Sequence, residues 1–152
     1  MSQKITPFLW FNDNAEEAMN FYTSVFKNSK IVNISRIPDG KTTLGIFQIE
    51  GQEFYVLNGG PHFKFSPAIS LFVKCETQEE VDELWEKLAE GGKPNQCGWL
   101  DDKFGLTWQI IPNALMRLMG DKDPAKSKRV MDAMLKMNKI IIKDLEDAYN
   151  KQ

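Results

Sequence analysis

One histidine and two cysteines are the whole stock of imidazole and thiol in this sequence of 152 residues. A His-triad zinc centre, a zinc finger or a cysteine-ligated iron–sulfur cluster needs more ligands than one such chain supplies, so these classes are excluded. A disulfide framework is not expected either, since Cys75 and Cys97 make at most one pair. A chain of this length buries roughly 68–70% of its unfolded surface without staples, and such sparing use of thiols fits a reducing, cytoplasmic setting. Charge of one sign is also lacking: the formal net charge is -2. That offers no field to gather a phosphate backbone, so nucleic acid is not an expected partner. No run of about 18 apolar residues occurs, and Met1–Phe11 lacks the apolar centre of a leader, so neither a membrane span nor an export signal is expected.

What is plentiful is aromatic. Ten Phe, four Trp and three Tyr stand in a chain whose hydrophobic share is 42% and charged share 26%, values of an ordinary folded domain rather than a disordered one. The chain also repeats itself. Asn14–Lys30 lies over Thr77–Lys93: Glu17-Ala18 faces Glu80-Val81, Phe21-Tyr22 faces Leu84-Trp85, and Val25 faces Leu88. Each copy predicts an amphipathic helix, with Asn14 and Thr77 as N-caps and a Glu three places on, the pattern of a capping box. The pairs Glu16-Glu17 and Glu79-Glu80 are read as helix-start carboxylates rather than acid/base pairs.

Strand-like runs precede both helices, at Ile5–Phe11 and Ile69–Cys75. Further strands are predicted at Lys30–Ile37, Thr42–Glu50 and Glu53–Asn58, separated by a Pro38-Asp39-Gly40 turn and a tight Gly51-Gln52 turn. After the second helix, Trp99–Ile111 reads as two strands broken at Asp101–Gly105, with Asp101-Asp102 as turn chemistry. Beyond Pro112 a short helix, Asn113–Gly120, precedes a long one opened by Asp123-Pro124 and running past Tyr149. Its lysines are read as a solvated face. Its stripe of Val130, Met131, Met134, Leu135, Met137, Ile141, Leu145 and Tyr149 suits either core packing or a subunit contact. The expected organisation is one domain, 1–152, of class α+β: two tandem βαβββ modules, 4–65 and 66–112, forming an open-barrel cavity, then a C-terminal helical extension, 113–152.

Three passages carry a family resemblance: Phe8-Leu-Trp-Phe11 with Asn14–Tyr22, Phe54–Pro61, and Gln96–Pro112, joined by Ala133–Met137. With the tandem modules they resemble the vicinal oxygen chelate superfamily of glyoxalase I, extradiol dioxygenases and bleomycin-resistance proteins. The sequence is most similar to the PhnB-like branch labelled 3-demethylubiquinone-9 3-methyltransferase. The resemblance implies a ligand cavity on the concave side of the sheets and a homodimer. It also implies metal-ligand positions near Thr6, Asn58, Ala68 and Gln109. None of these is an imidazole or a carboxylate, so a cavity without a firmly held transition metal, and no other cofactor, is expected.

Residue chemistry narrows the function. S-adenosylmethionine sites normally use a glycine-rich loop between a strand and a helix, and neither helix here opens with one. His62, in the Gly60–Phe65 loop, is either a general acid/base or an exposed loop histidine. Cys97 is the better placed thiol beside a ligand, whereas Cys75 reads as a small core residue. With Thr6 toward the cavity, alternation sends Phe8 and Trp10 the same way and Pro7, Leu9 and Phe11 under the helices. Thr107, Gln109 and Ile111 then share a face, and Asn58 brings Val56 and Phe54 with it. The predicted ligand set is Phe8, Trp10, Phe54, Asn58, Cys97, Trp99 and Gln109, with His62 and Cys97 as catalytic candidates. The expected partner is a small apolar or aromatic molecule; the alternative is an enzyme of the superfamily, either the methyltransferase of the label or a metal-dependent glyoxalase or dioxygenase type.

Overall fold

The computed structural model describes residues 3–38 and 43–151. The chain divides into two compact units, Met1–Phe65 and Ser66–Gln152. In the first, the elements are β1 (Phe8–Phe11), α1 (Ala15–Val25), β2 (Ser29–Arg36), β3 (Thr43–Ile49) and β4 (Gln52–Asn58). The sheet order is β1-β4-β3-β2. The βα crossover makes β1 parallel to β4, while β3 is antiparallel to both its neighbours. Glu50 and Gly51 join β3 to β4 with φ of 50 and 79, the pair of left-handed residues that a two-residue hairpin demands. Of the expected Pro38-Asp39-Gly40 turn, Asp39 and Gly40 lie outside the described residues, as does Thr42 at the expected start of β3.

The second unit repeats the plan with β5 (Leu71–Cys75), α2 (Gln78–Ala89), β6 (Lys93–Pro94), β7 (Trp99–Asp101) and β8 (Thr107–Pro112). Its order is β5-β8-β7-β6, again with the first strand parallel to the last. The fold is therefore α+β, two tandem modules with four-stranded, unclosed sheets, followed by C-terminal helices. The short β6 has too few residues to show an alternation in the sequence.

Each sheet buries one face under its own helix. Leu9 and Phe11 of β1 are buried with Phe47, Phe54 and Val56, against Ala18, Met19 and Tyr22 of α1. Phe47 stacks on Phe54 and on Tyr22, with ring centroids 5.2 and 5.9 Å apart, so the aromatic surplus here is sheet-to-helix packing. In the second unit Leu100, Trp108 and Ile110 are buried, as are Val81, Leu84 and Leu88 of α2.

Two local expectations are corrected. Asn14 precedes α1, but its side chain makes no cap hydrogen bond. Thr77 does cap: its Oγ1 accepts from the Glu80 N–H at 3.2 Å, and Glu80 Oε2 accepts from the Glu76 N–H at 3.0 Å. The single long C-terminal helix is in fact two, α4 (Pro124–Met134) and α5 (Ile142–Asn150), preceded by α3 (Asn113–Met119). Asp123 caps α4 as expected, accepting from the Ala125 N–H at 3.0 Å. The break falls where the carbonyls of Met137 and Asn138 accept amide protons from Cys97 and Gly98, bonds that a continuing helix would have claimed for itself. Val130 and Leu145 of the apolar stripe pack with Ile111, Leu115, Leu118 and Ile140, whereas Met131 and Leu135 stay exposed. Among the described residues, no helix is long and apolar enough to cross a membrane.

Candidate ligand-binding faces

The face of each sheet turned away from α1 or α2 is where aromatic side chains remain open. In the first unit the register pairs Phe8 with Tyr55 and Trp10 with Leu57, and paired residues share a face. Phe8 is 54% exposed and meets the Tyr55 ring edge-on at 5.7 Å. Trp10 is held from three directions. Its Nε1–H donates to the Gly60 carbonyl at 3.0 Å, Phe63 stands edge-on at 5.0 Å, and its ring lies so near Gly59 that a Cβ there would come within 2.3 Å of it. The Gly59-Gly60 pair thus seats an indole.

Phe54 and Asn58 do not join that surface. Asn58 pairs with Phe11 and Val56 with Leu9, so the Phe54–Val56–Asn58 set lies on the helix side. Phe54 is core. Asn58 Oδ1 accepts from the Ala15 N–H at 2.8 Å, supplying the cap that Asn14 does not. The expectation that these residues share a face with Phe8 and Trp10 fails because alternation orders residues along one strand but leaves the phase between strands open. Tyr55, Leu57 and Phe63 take their places.

In the second unit, pairing across three strands sets Phe72, Gln109 and Trp99 in one row. Phe72 is 45% exposed, and Gln109 Nε2 donates to Ser70 Oγ at 2.8 Å. The row is an amide between two aromatic side chains. Thr107 and Ile111 share its face by alternation, as expected; Thr107 Oγ1 donates to Asp101 Oδ1 at 2.7 Å. Phe72 was legible in the sequence, because alternation from Ala68 passes through Ser70 to Phe72. Thr6 and Ala68 themselves precede β1 and β5 rather than lying within them.

The candidate reactive groups are dispersed. His62 is exposed, and no carboxylate pairs with it among the described residues. Cys75 is fully buried, and its thiol is pushed up to about 12, by burial first and by the Glu80 carboxylate second. It is therefore protonated and inert at neutral pH. Cys97 is half-buried in the loop before β7, with a left-handed φ of 63. Asp102 is buried and serves its turn: Oδ1 accepts from the Phe104 and Leu106 N–H groups at 2.8 and 3.1 Å, and Oδ2 from Trp108 Nε1–H at 2.9 Å. Among the described residues, no group of three or more His, Cys, Asp or Glu side chains is placed to hold a metal ion.

Comparison with known proteins follows these outlines. Residues 3–111 match the family described as 3-demethylubiquinone-9 3-methyltransferase. The PhnB protein of Bacillus cereus is 43% identical over 72% of this chain and 99% of its own, with a TM-score of 0.68. A protein of Pseudomonas aeruginosa is similar in fold at 18% identity, covering 73% of this chain and 98% of that one, with a TM-score of 0.62. The genomically encoded fosfomycin resistance protein FosX of Listeria monocytogenes is 17% identical over 77% of this chain and 96% of its own, with a TM-score of 0.58. No curated protein matches the chain.

Proposed function

The chain belongs to the 3-demethylubiquinone-9 3-methyltransferase family, the PhnB-like branch of the vicinal oxygen chelate fold, and from that premise we propose that it binds a small planar aromatic molecule. The observation that carries this reading is the open aromatic character of the sheet faces turned away from α1 and α2. Phe8 and Phe72 would each be removed from water if these faces were mere core, yet both remain about half exposed. Burying the half of one such ring that is still open under a ligand contributes about 0.8–1.5 kcal/mol. Trp10, fixed by Gly60 and Phe63, presents a rigid ring on the face of the first unit, and Gln109, oriented by Ser70, a directional amide on the face of the second, each at low entropic cost.

The composition of these faces favours binding over metal-assisted chemistry. FosX of Listeria monocytogenes is known in complex with Mn(II). In this chain Gln109 and Thr6 offer neutral oxygens where a firm transition-metal site uses imidazole or carboxylate. Methyl transfer draws no support from the helix starts, which open on Asn14 and Thr77 without a glycine-rich loop. The test is a titration of labelled protein with a ubiquinone head-group quinol, with S-adenosylmethionine and with Mn(II), followed by NMR. Shifts of the Trp10 and Trp99 indole N–H and the Gln109 side-chain amide with the quinol alone support the reading. Saturable shifts with S-adenosylmethionine, or stoichiometric transition metal in protein purified without chelator, would overturn it.

A further inference from the structure

The loop that delivers Trp99 to its row closes on itself through the Asn95 N–H to the Trp99 carbonyl at 2.9 Å and the Trp99 N–H to the Gln96 carbonyl at 3.1 Å, and β8 adds the Ile110 N–H to the Gly98 carbonyl at 2.8 Å, but two of its amides are satisfied from outside. Cys97 and Gly98 adopt consecutive left-handed conformations, φ 63 and 84, and for cysteine that costs about 1–2 kcal/mol. The segment between α4 and α5 supplies those two acceptors: the Cys97 and Gly98 N–H groups donate to the Met137 and Asn138 carbonyls, both at 2.8 Å. No Cβ fits at Gly98, where it would stand 2.7 Å from Ile111 Cδ1 and 3.1 Å from Ile140 Cγ1. The same segment is anchored to α2 through one side chain. Gln78 Nε2 donates to the Ile140 carbonyl at 3.0 Å, and Gln78 Oε1 accepts from the Ile142 N–H at 2.7 Å. Lys139 adds an ion pair with Asp82 at 2.8 Å. All these residues from Met137 onward lie beyond residue 111, where the family match ends.

We propose that residues 137–142 form a positioning clamp, by which Gln78 and the C-terminal helices hold the Cys97-Gly98 turn and so fix Trp99 beside Gln109 for ligand recognition. The inference rests on the reading of the Phe72–Gln109–Trp99 row as a ligand face. Gln78 sits on α2, which covers the opposite face, and acts on the ligand only through the turn. It is a positioning residue, and the clamp makes recognition conditional on docking of the C-terminal helices.

The test compares the full-length chain with its Gln78→Ala variant, using amide exchange at Cys97 and Gly98 together with titration by the ubiquinone head-group quinol. Gln78→Ala is expected to speed exchange of those two amides about tenfold and to weaken the quinol affinity read at the Trp99 indole by about fivefold or more. Lys139→Met, which removes the ion pair with Asp82 and leaves the Gln78 Nε2 hydrogen bond to Asp82 Oδ1 at 2.9 Å in place, is expected to give smaller changes of the same sign and remains informative where Gln78→Ala folds poorly. Faster exchange with unchanged affinity would overturn the clamp as a recognition device, and unchanged exchange would overturn it as a clamp. A wild-type chain whose Trp99 indole does not respond to the quinol would refute the ligand reading, and the clamp with it, before any variant is made.

Discussion

Replacing Asn58 by alanine separates two roles that one residue type can serve. As a ligand contact its loss would weaken binding and leave stability alone; as the cap of α1 it must do the reverse. The magnitude follows from its single bond, Oδ1 accepting from the Ala15 N–H at 2.8 Å. Ala15 is fully buried, and the Asn14 side chain provides no substitute. Loss of a helix cap costs about 0.5–2 kcal/mol, and a buried donor left without an acceptor costs about 1–3 kcal/mol. These describe the same event and are not summed, so about 1–2.5 kcal/mol is expected. For a chain of this size each kcal/mol moves Tm by about 2–4 °C, giving a fall of roughly 2–10 °C. Asn58→Asp keeps the acceptor and places a carboxylate at a helix N-terminus, so it restores most of the loss, tempered by Glu16 and Glu17 in the same turn. The assay is thermal unfolding of the three proteins beside quinol titration. An alanine variant with unchanged Tm and weakened quinol binding would refute the cap and return Asn58 to the ligand face.

Asp102→Ala strips the acceptor from two backbone amides and the Trp108 indole, and a lowering of unfolding free energy by about 3 kcal/mol or more is expected; a change below about 1 kcal/mol in the urea midpoint analysis would show that the turn holds itself. Gly59→Ala drives a methyl into the Trp10 ring, so the indole must leave Gly60 at a cost of about 1–3 kcal/mol, visible as loss of the Trp10 near-ultraviolet signal and contradicted by an unchanged spectrum. The thiol of Cys75, raised from 9.0 to about 12 in the folded chain, gives a signed pH dependence. The folded state keeps a proton that the unfolded state gives up, so the contribution of Cys75 is intact below pH 9.0 and drains away as pH rises toward about 12. Cys75→Ala should therefore lose less stability than the wild type between about pH 8 and about pH 11; parallel losses would contradict a buried, neutral thiol.

The two modules show why the sheet plan was legible from sequence and the site only in part. Alternation in Phe8–Phe11 and in Thr107–Ile111 is local, and it placed Leu9 and Phe11 under α1 and Gln109 with Thr107 correctly. Phase between strands is not local. Whether Asn58 falls opposite Phe11 or opposite Trp10 depends on a parallel register that closes only after α1 has crossed over. Capping makes the same point. Asn14 and Thr77 occupy equivalent positions with equivalent spacing to a glutamate, yet only Thr77 caps through its own side chain. The difference lies at the far end of each unit. The last residue of β4, paired with the last of β1, is Asn58; the last of β8, paired with the last of β5, is Pro112. Asn58 carries an acceptor that reaches the first amide of α1, that of Ala15, whereas Thr77 serves the third amide of α2, that of Glu80. Pro112 carries none, and it turns the chain directly into α3. That turn brings the C-terminal helices onto Ile111 and Ile140 and, through Met137 and Asn138, onto the loop before Trp99. The substitution of proline for asparagine at one strand end thus separates a module that ends at its sheet from one whose aromatic row is held by the helices that follow.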